Sequence, residues 1–435
     1  MAHTHFHINP EAGYSEWFIK MQEAKLRVNE HYGDNLIPLT FPDGWEIEEV
    51  KMSGSSKRPM TDEEIRSALD NSIGTATTVE QAKGKNGRVV ITCDDLSRPT
   101  PAGRVFPFII EQLHEAGVSD SQIFVLGSFG CHNPMNIDAF ARKLGEDVVT
   151  KYDCVNHNPF ENFENLGRSS RGTPVLVNKE FASADLRICI SGIKKHGWAG
   201  AGGGGKAIVP GVSSIDTIQH NHNMIDGHRP LNRRIWWIKE NPERCDMQEI
   251  AHIADLNISV NCVYNGSRQL IGLHSGDVDA AWREAVKECY DAHSCTPAKK
   301  ADVVVVNAYP QADQGIDWSG AQDSLRDGGT VVAVYYFPLG SALIHYYHEH
   351  MGGPWSRIRG YPSRKWPVDK AGQIIVYTNR PSRRDILSYS DRVEWESDWR
   401  KVLEKLHASH GDNASVAIYH SGKLQFNRDK YPLVI

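Results

Sequence analysis

Three apolar runs in the first half of the chain predict buried strands. They are residues 88–92 (RVVIT), 122–127 (QIFVLG) and 186–191 (LRICIS), in which polar and apolar residues do not alternate regularly. An apolar run of this length is typical of a strand that is covered on both faces, as in a parallel sheet. Residues 105–117 (VFPFIIEQLHEAG) repeat apolar side chains at helical spacing and end on a glycine, which predicts a helix and its stop. Strand, helix and strand then form a βαβ unit.

The second half of the chain repeats this order of strands and helices after a polar linker. An amphipathic helix at residues 278–290 is followed by DAHSCTPAKK and then by the apolar run of residues 301–310. A helix at residues 321–326, stopped by two glycines, leads into a further strand at residues 330–337. We therefore predict an α/β fold of two domains with mainly parallel sheets: residues 1–297, residues 298–410, and residues 411–435 as a tail that closes either domain.

Polar clusters follow the three strands predicted in the first half. The first strand leads into CDDLSRPTP, the second into SFGCHNPM and the third into GIKKHGWAGAGGGGKAIVPG. Open α/β sheets build their binding crevices at the carboxyl ends of their strands. We therefore expect one shared site, in the crevice between the two domains.

The glycine-rich segment at residues 200–206 (GAGGGGK) matches two phosphate-binding patterns only weakly. It fits GxxxxGK, but Ala207 stands where a P-loop has the Ser or Thr that binds magnesium, and Pro210 interrupts the helix that such a loop needs. It also fits GxGxxG, but the preceding strand ends well before the first glycine. An ATPase, a kinase and an ordinary dinucleotide site are therefore disfavoured.

Lys206 and nearby histidines are the candidates for chemistry. Glycines let a bulky group lie against the backbone beside Lys206, whose flanks ICISG and AIVPGV are apolar. A desolvated lysine titrates low and becomes a nucleophile, so we interpret Lys206 as a covalent attachment point; the alternative is a surface lysine after a flexible linker. His132, His196 and His222 are candidates for proton transfer and metal binding. Any one of them alone could be structural, and His220 competes with His222 as a ligand.

Charge and composition narrow the class of protein. The 48 basic and 54 acidic residues give a net charge of -6, which disfavours a nucleic-acid partner. No apolar run approaches the roughly 20 residues that span a bilayer, and the first residues lack a signal-peptide pattern. The eight cysteines include no CxxC pair, so we expect them to be reduced and mostly buried. We expect a cytoplasmic protein without a membrane partner.

Three of these motifs together resemble the lactate racemase family, the enzymes of the nickel-pincer nucleotide. The family's acidic-x-x-Arg-Pro turn is matched by residues 95–99, its Gly-x-His-x-Pro turn by residues 130–134, and its histidine, glycine segment and lysine by residues 196–206. The similarity covers roughly residues 93–223, and the spacing from the lysine to the family's nickel histidine falls on His222.

The resemblance implies an isomerase. Such a racemase or epimerase inverts the hydroxyl-bearing carbon of a 2-hydroxy acid by passing a hydride to the cofactor and back. The implied cofactor is a nickel pyridinium-3,5-bisthiocarboxylic acid mononucleotide bound covalently to Lys206, with His222 as the nickel ligand. His132 and His196 would be the two acid/bases, which exchange roles with the direction of the reaction. The ribose phosphate of the cofactor, or the substrate, would be held by Asp95, Leu96, Ser97 and Arg98.

The second predicted domain departs from the family in ways that bear on the substrate. Residues 309–314 (YPQADQ) resemble the family's Tyr-Pro-x-Asp-Gln turn, but the Gln and Lys that contact lactate there have no clear counterpart. Because Trp318, Trp355 and Trp366 offer flat apolar walls, we expect a hydroxy acid larger than lactate, such as a sugar acid. The alternative is that these tryptophans belong to a core or an interface. The predicted substrate contacts are Arg98, Tyr309, Gln314, Trp318 and Trp355.

Two other functions are left open. The same cofactor would also serve an epimerase or a redox enzyme that acts on a neutral sugar, and a non-catalytic carrier of nickel or nucleotide would keep Lys206 and His222. The presence of both His132 and His196 argues against the carrier. The implied partners are a small hydroxy acid and the enzymes that mature the cofactor, and a homodimer is left open.

Overall fold

The computed structural model describes residues 21–224, 235–337 and 366–435, and two six-stranded sheets form its frame. In chain order the described strands are β1 (Met21–Val28), β2 (Asn35–Pro42), β3 (Glu46–Val50), β4 (Val89–Cys93), β5 (Ile123–Gly127), β6 (Asp153–Asn156), β7 (Phe163–Arg168), β8 (Pro174–Asn178), β9 (Leu186–Gly192), β10 (Lys195–His196), β11 (Gly200–Ala201), β12 (Ile258–Tyr264), β13 (Leu270–Gly276), β14 (Ser294–Cys295), β15 (Ala301–Asn307), β16 (Leu325–Val334), β17 (Gln373–Tyr377), β18 (Glu394–Glu396), β19 (Ser415–Tyr419) and β20 (Phe426–Asn427). The described α-helices are α1 (Asp62–Asp70), α2 (Thr78–Ala82), α3 (Ala102–Glu115), α4 (Ile137–Leu144), α5 (Glu146–Lys151), α6 (Lys179–Ala182), α7 (Ile215–Asn223), α8 (Pro242–Ile253), α9 (Ala280–His293), α10 (Ser319–Ser324), α11 (Arg383–Leu387) and α12 (Trp399–His410).

The first sheet contains the three strands predicted from apolar runs. Its order is β13, β12, β9, β4, β5 and β6, and every neighbouring pair is parallel except β12 and β13. β4 and β5 are buried at every position, which explains their unbroken apolar sequences. The predicted helix is α3, whose Val105 and Ile109 share a core with Ile91 and Val125. Parallel pairing brings the carboxyl ends of β4, β5 and β9 to one edge of the sheet.

The second sheet is parallel throughout. Its order is β18, β17, β16, β15, β19 and β3. The strand predicted after the polar linker is β15, which lies in the middle of the sheet and is buried at six of its seven positions. Val304 and Val306 face one core of this sheet and Val303 and Val305 the other. Each six-stranded sheet and the helices packed on it form an α/β unit with a mainly parallel sheet, as predicted. We call the unit built on the first sheet the first unit and the one built on the second sheet the second unit.

The strand pairing differs from the predicted division of the chain at residue 297. β3 pairs with β19, and Leu26 and Phe41 of the β1–β2 hairpin share a core with Val303. β19, which we assigned to a tail at residues 411–435, is an internal strand of the same sheet. β3 has the sequence EIEEV, of which only Val50 is buried, so no apolar run marks it as part of a sheet.

The predicted glycine stop after α10 is wrong. α10 ends at Ser324, and β16 begins at Leu325 and runs through Gly328 and Gly329. The reason is that Leu325 pairs with Ala301 of β15, which extends the strand past the two glycines.

Two further observations concern the chain as a whole. In the described ranges, no helix has the length and the apolar character needed to cross a membrane. All eight cysteines are free thiols, and only Cys154 and Cys245 are partly exposed, as predicted.

Candidate active site

The turn after β4 is fixed by its own hydrogen bonds. Asp95 Oδ1 accepts a bond from the Ser97 backbone N at 2.7 Å, and the Arg98 backbone N donates to the Asp95 carbonyl at 3.1 Å. Lys143 of α4 donates to the carbonyls of Asp95 and Arg98 at 3.1 and 2.8 Å. Arg98 Nη1 donates to Ser97 Oγ at 2.7 Å. The turn thus presents a carboxylate and a guanidinium at a fixed spacing.

The neighbouring Asp94 is held in a structural ion pair. Its carboxylate lies 2.5 Å from Lys143 Nζ and accepts a bond from Thr100 Oγ1 at 2.6 Å. Because the Lys143 side chain is fully buried, its charge needs this partner. Of the two adjacent aspartates, Asp95 is therefore the one available to a second loop.

His132, in the loop after β5, is bound to Asp95. Nδ1 of His132 lies 2.7 Å from Asp95 Oδ2, and because a carboxylate only accepts, Nδ1 carries the hydrogen and the lone pair of the neutral ring lies on Nε2. Burial lowers the pKa of His132, and the charge of Asp95 offsets part of this change. Burial also tends to raise the pKa of Asp95, but His132 and Arg98 outweigh it and hold that pKa below its usual value. The pair is a base oriented by a carboxylate.

His196, in the loop after β9, has the opposite hydrogen-bonding pattern to His132, because its Nδ1 is an acceptor. Its Nδ1 accepts hydrogen bonds from the backbone N of Trp198 and of Ala199, at 3.3 and 3.1 Å. The neutral ring therefore carries its hydrogen on Nε2. Desolvation, together with the charges of Lys206 and Arg98, lowers the pKa of His196 well below its usual value. The ring stays neutral and presents an N–H donor.

The glycine segment before Lys206 is packed tightly against α8. A Cβ on Gly205 would lie 2.7 Å from the carbonyl carbon of Met247, so only glycine fits there. Arg244 of α8 donates to the carbonyls of Ala199 and Gly203 at 3.0 and 3.0 Å. The flexible-linker alternative is therefore excluded. In place of the long helix of a P-loop, the segment ends in a single 3-10 turn, Gly204–Ala207.

The Lys206 amine has an altered charge state. Desolvation, followed by the charge of Arg98, lowers the pKa of Lys206 to about 7. An amine with that pKa is unprotonated in about half of the molecules at neutral pH, whereas an ordinary lysine is almost fully protonated. Lys206 therefore has the nucleophilic form that covalent attachment requires.

One cavity collects predicted residues from all three strand-end loops. Asp95 and Arg98 line it from the loop after β4, His132 from the loop after β5, and His196 and Lys206 from the loop after β9. A carboxylate, a guanidinium, two imidazoles and an amine therefore lie together at the edge of the sheet where its parallel strands end.

His222, on α7, is not on the wall of this cavity, and its ring contacts Trp198, two residues after His196. The two rings are edge to face, with centroids 5.7 Å apart. Nδ1 of the buried His222 lies 3.1 Å from the amide oxygen of Asn221, with Glu243 Oε1 further away at 3.7 Å. A hydrogen-bond acceptor behind one nitrogen is typical of a histidine that ligates a metal through the other. His220, the competing ligand, faces Thr173, with its Nδ1 2.9 Å from the hydroxyl oxygen.

Tyr309, Gln314 and Trp318, predicted to contact the substrate from the second unit, are not on the wall of this cavity. The hydroxyl of the buried Tyr309 donates to Asp34 at 2.6 Å. The Trp318 ring lies edge to face with Tyr389, with centroids 5.6 Å apart, and packs against the second core. The backbone carbonyl of Gln314 accepts a bond from a lysine ammonium at 2.9 Å. Trp318 therefore fits the alternative of a core residue.

Three other predicted residues that the structure describes are also not on the cavity wall. Leu96 and Ser97 belong to the turn after β4 but are not on the cavity wall. Trp366 donates from Nε1 to the Ala371 carbonyl at 3.2 Å, which places it in the second unit's core region. Trp355 lies outside the described residues.

Sequence reasoning missed two residues of the site. Lys194 lines the cavity from the loop after β9, and its ammonium donates to the side-chain oxygen of Gln311 from the second unit. Gln311 in turn donates from Nε2 to the Ser97 carbonyl at 2.5 Å. Lys194 stands two residues before His196, so the rule that located His196 could have located it as well. Gln311 carried no such signal.

Comparison with known proteins adds the family. Residues 32–231 match the model of the lactate racemase N-terminal domain. The lactate racemase of Lactiplantibacillus plantarum is 30% identical over 390 residues, which cover 83% of this chain and 89% of that protein. This chain belongs to the lactate racemase family. It is accordingly an isomerase, a racemase or epimerase of that family. A second lactate racemase, from Thermoanaerobacterium thermosaccharolyticum, is 30% identical over 313 residues, 69% of this chain and 72% of the relative.

Solved structures agree on the fold. The lactate racemase apoprotein from Thermoanaerobacterium thermosaccharolyticum aligns with a TM-score of 0.66 and 22% identity, over 93% of this chain and all of that one. A protein from Thermotoga maritima aligns with a TM-score of 0.63 and 17% identity, over 85% of this chain and 99% of that one. The predicted α/β fold with mainly parallel sheets is therefore confirmed.

Proposed function

We propose that this member of the lactate racemase family inverts C2 of a 2-hydroxy acid with a nickel-pincer nucleotide bound through Lys206. The observation that carries the proposal is the shared cavity, in which two imidazoles in opposite hydrogen-bonding states stand beside an amine of lowered pKa. Inversion needs one group that accepts the hydroxyl proton and a second that serves the same oxygen after the carbon has turned its other face.

The residues around the cavity fit the cofactor. The Lys206 amine is suited to the covalent bond, the glycine segment keeps side chains away from a flat ring, and Arg98 offers a guanidinium to a phosphate. His222 would be the imidazole ligand of the nickel, a metal that imidazole suits. When bound, the cofactor supplies an electron-poor ring that takes the hydride from C2 and returns it.

The protein's own side chains move the proton. His132 Nε2 accepts the hydroxyl proton of the substrate, and Asp95 stabilises the resulting imidazolium. His196 Nε2 donates a hydrogen bond to the same oxygen once it faces the other side of the cavity. When the hydride returns to C2, the proton that His132 accepted returns to that oxygen, so the product carries the same atoms as the substrate. For the other enantiomer the roles exchange, and His196 must then release its two backbone hydrogen bonds so that Nδ1 can carry the hydrogen.

We further propose that the substrate is larger than lactate, with a sugar acid as the leading candidate. Ser128 and Ser191 stand on the cavity wall, and their hydroxyl oxygens offer hydrogen-bond acceptors to additional hydroxyls. Trp318 lends this proposal no support, because it packs in the second core. The cofactor's maturation enzymes are the protein partners that the proposal requires, and we place the reaction in the cytoplasm.

The test starts from protein produced together with cofactor-maturation enzymes. We expect an intact mass increment on Lys206 with stoichiometric nickel, and no increment in Lys206→Arg. The loaded protein is then given both enantiomers of a panel of 2-hydroxy acids, from lactate to sugar acids, and neutral sugars. Inversion of an acid supports the proposal. Conversion of neutral sugars alone supports the alternative enzyme, and loaded protein without any turnover supports the carrier.

A further inference from the structure

Lys194 differs from the shielded lysines Lys143 and Lys195 of the first unit in having no carboxylate partner. Lys143 lies 2.5 Å from Asp94, and Lys195, the next residue, lies 2.9 Å from Asp317. Throughout the part of the chain that the structure describes, no carboxylate lies within ion-pair distance of the Lys194 ammonium. Its ammonium donates a hydrogen bond to a neutral group, the Gln311 side-chain oxygen. A charge held in this way needs an anion that the protein does not supply.

The cavity around Lys194 is short of negative charge. Arg98, Lys194 and Lys206 all line it, and the charge of Arg98 lowers the pKa of both lysines after desolvation has done so. Of the two lining aspartates, Asp94 is neutralised by Lys143. Once the Lys206 amine is bound covalently, Arg98 and Lys194 are the basic groups that face the same space, and Asp95 is the remaining carboxylate on its wall. An anion beside Lys194 would offset the desolvation that lowers the pKa of this lysine.

Two anions are expected in that space under the proposed function, on which this inference rests. One is the phosphate of the cofactor, for which the planar guanidinium of Arg98 is the better partner. The other is the carboxylate of the substrate. We propose that Lys194 binds the substrate carboxylate and thereby selects hydroxy acids over neutral hydroxy compounds.

The position of Lys194 suits this role. It is two residues from His196, so a carboxylate on Lys194 brings the adjacent carbon, C2, near the imidazoles. Gln311 fixes the ammonium from the second unit, and Gln311 is itself anchored to the Ser97 carbonyl at 2.5 Å. The second unit has no clear counterpart of the lysine that contacts lactate in the family, and Lys194 of the first unit would take over its role. The proposal of a larger acid still rests on the polar groups of the cavity wall.

The experiment compares Lys194→Gln with the unaltered, cofactor-loaded protein. For the hydroxy acid that the unaltered protein inverts, we expect KM to rise by about 10- to 100-fold, since a charged hydrogen bond is lost. Intact mass and nickel content should stay unchanged. Lys194→Arg should recover part of the affinity, because it restores the charge.

Binding without turnover separates carboxylate recognition from a structural effect. The probes are 2-hydroxy-2-methylpropanoate, which has no hydrogen on C2, and its amide, both titrated by calorimetry. The unaltered protein should prefer the carboxylate probe, and Lys194→Gln should lose that preference while it binds the amide as before. Lys195→Gln is the matched control: loss of its pair with Asp317 should lower the melting temperature and leave the preference intact in the folded protein.

Each failure has its own signature. If the unaltered holoenzyme inverts no hydroxy acid, the proposed function fails. If it does so and Lys194→Gln keeps both KM and the preference for the carboxylate probe, the Lys194 inference is overturned alone. Loss of nickel or of the mass increment in Lys194→Gln would assign the lysine to the cofactor and would also overturn the inference, as would equal binding of the two probes by the unaltered protein.

Discussion

Asp95 sets the hydrogen-bonding state of His132. The carboxylate holds the hydrogen on Nδ1 and leaves the lone pair on Nε2, and its charge favours the imidazolium that forms when the ring accepts a proton. Asp94 is chemically identical and adjacent, but its charge is used by Lys143. The two aspartates therefore allow a matched comparison.

Asp95→Asn should lower kcat by about 100-fold or more, because the amide keeps a hydrogen-bond acceptor but loses the charge that supports the base. The measurement is kcat of the loaded enzyme, with nickel content as the check on loading. Asp94→Asn should instead lower the melting temperature, since it leaves the buried Lys143 without its partner. A kcat unaffected by Asp95→Asn would remove Asp95 from the proposed mechanism.

The Lys206 amine of the cofactor-free protein should react with acetic anhydride with a midpoint near pH 7. Below that pH the amine is protonated and unreactive, and above it the free base forms; desolvation and Arg98 cause the low value. Peptide mass spectrometry of the labelled protein measures how the extent of labelling depends on pH. Exposed lysines, with midpoints at about pH 10.4, serve as the internal reference. A midpoint for Lys206 equal to theirs would contradict the electrostatic account.

At the scale of elements, the contact between the glycine segment and α8 positions Lys206. Gly205→Ala should lower the free energy of unfolding by about 1–3 kcal/mol, because the new methyl group collides with the backbone at Met247. It should also reduce the fraction of protein that carries the cofactor mass. Denaturant unfolding and intact mass measure the two effects.

Gly172→Ala provides the control for a glycine replacement. Gly172 has φ 84°, and a Cβ there meets nothing within 4 Å. The substitution should therefore lower the free energy of unfolding by about 1–2 kcal/mol, the cost of placing an alanine in the left-handed conformation. Cofactor loading should not change. If both variants lost the cofactor equally, the packing against α8 would not be what positions Lys206.

The sequence predicted those parts of the site that depend on local patterns. Asp95, His132 and His196 each follow an apolar strand closely, so strand prediction and the strand-end rule located them, and Lys206 was located by the glycine segment that it ends and by its apolar flanks. Gln311 could not be found this way, because its contacts with Ser97 and Lys194 join segments far apart in the chain. β3 was not predicted, because an edge strand with one buried residue has no apolar run. The predicted glycine stop after α10 was wrong, because pairing with β15 extends β16 through the two glycines.

At the scale of the whole molecule, the two units are joined by polar contacts. Arg268 binds Asp34 at 2.9 Å, and Tyr309 donates to the same carboxylate at 2.6 Å. Tyr309, which the sequence assigned to the substrate, is therefore committed to a contact between segments of the chain. Its place in the fold explains why it would be retained without touching a ligand.

Tyr309→Phe should lower the free energy of unfolding by about 1 kcal/mol, the usual net value of one hydrogen bond, and should leave KM nearly unchanged. Thermal unfolding and steady-state kinetics of the loaded enzyme give the two quantities. A large rise in KM with unchanged stability would restore the substrate contact that the sequence predicted.

The pairing of β3 with β19 has a consequence for how the protein is made. Strand residues 46–50 leave the ribosome long before their partners at 415–419. β3 must wait unpaired until those partners are made, while the first sheet, built from nearer segments, can form earlier. Synthesis therefore finishes the nucleophile-bearing unit before the unit that braces Lys194, and a nascent chain cut short after residue 300 would display Lys206 without Gln311.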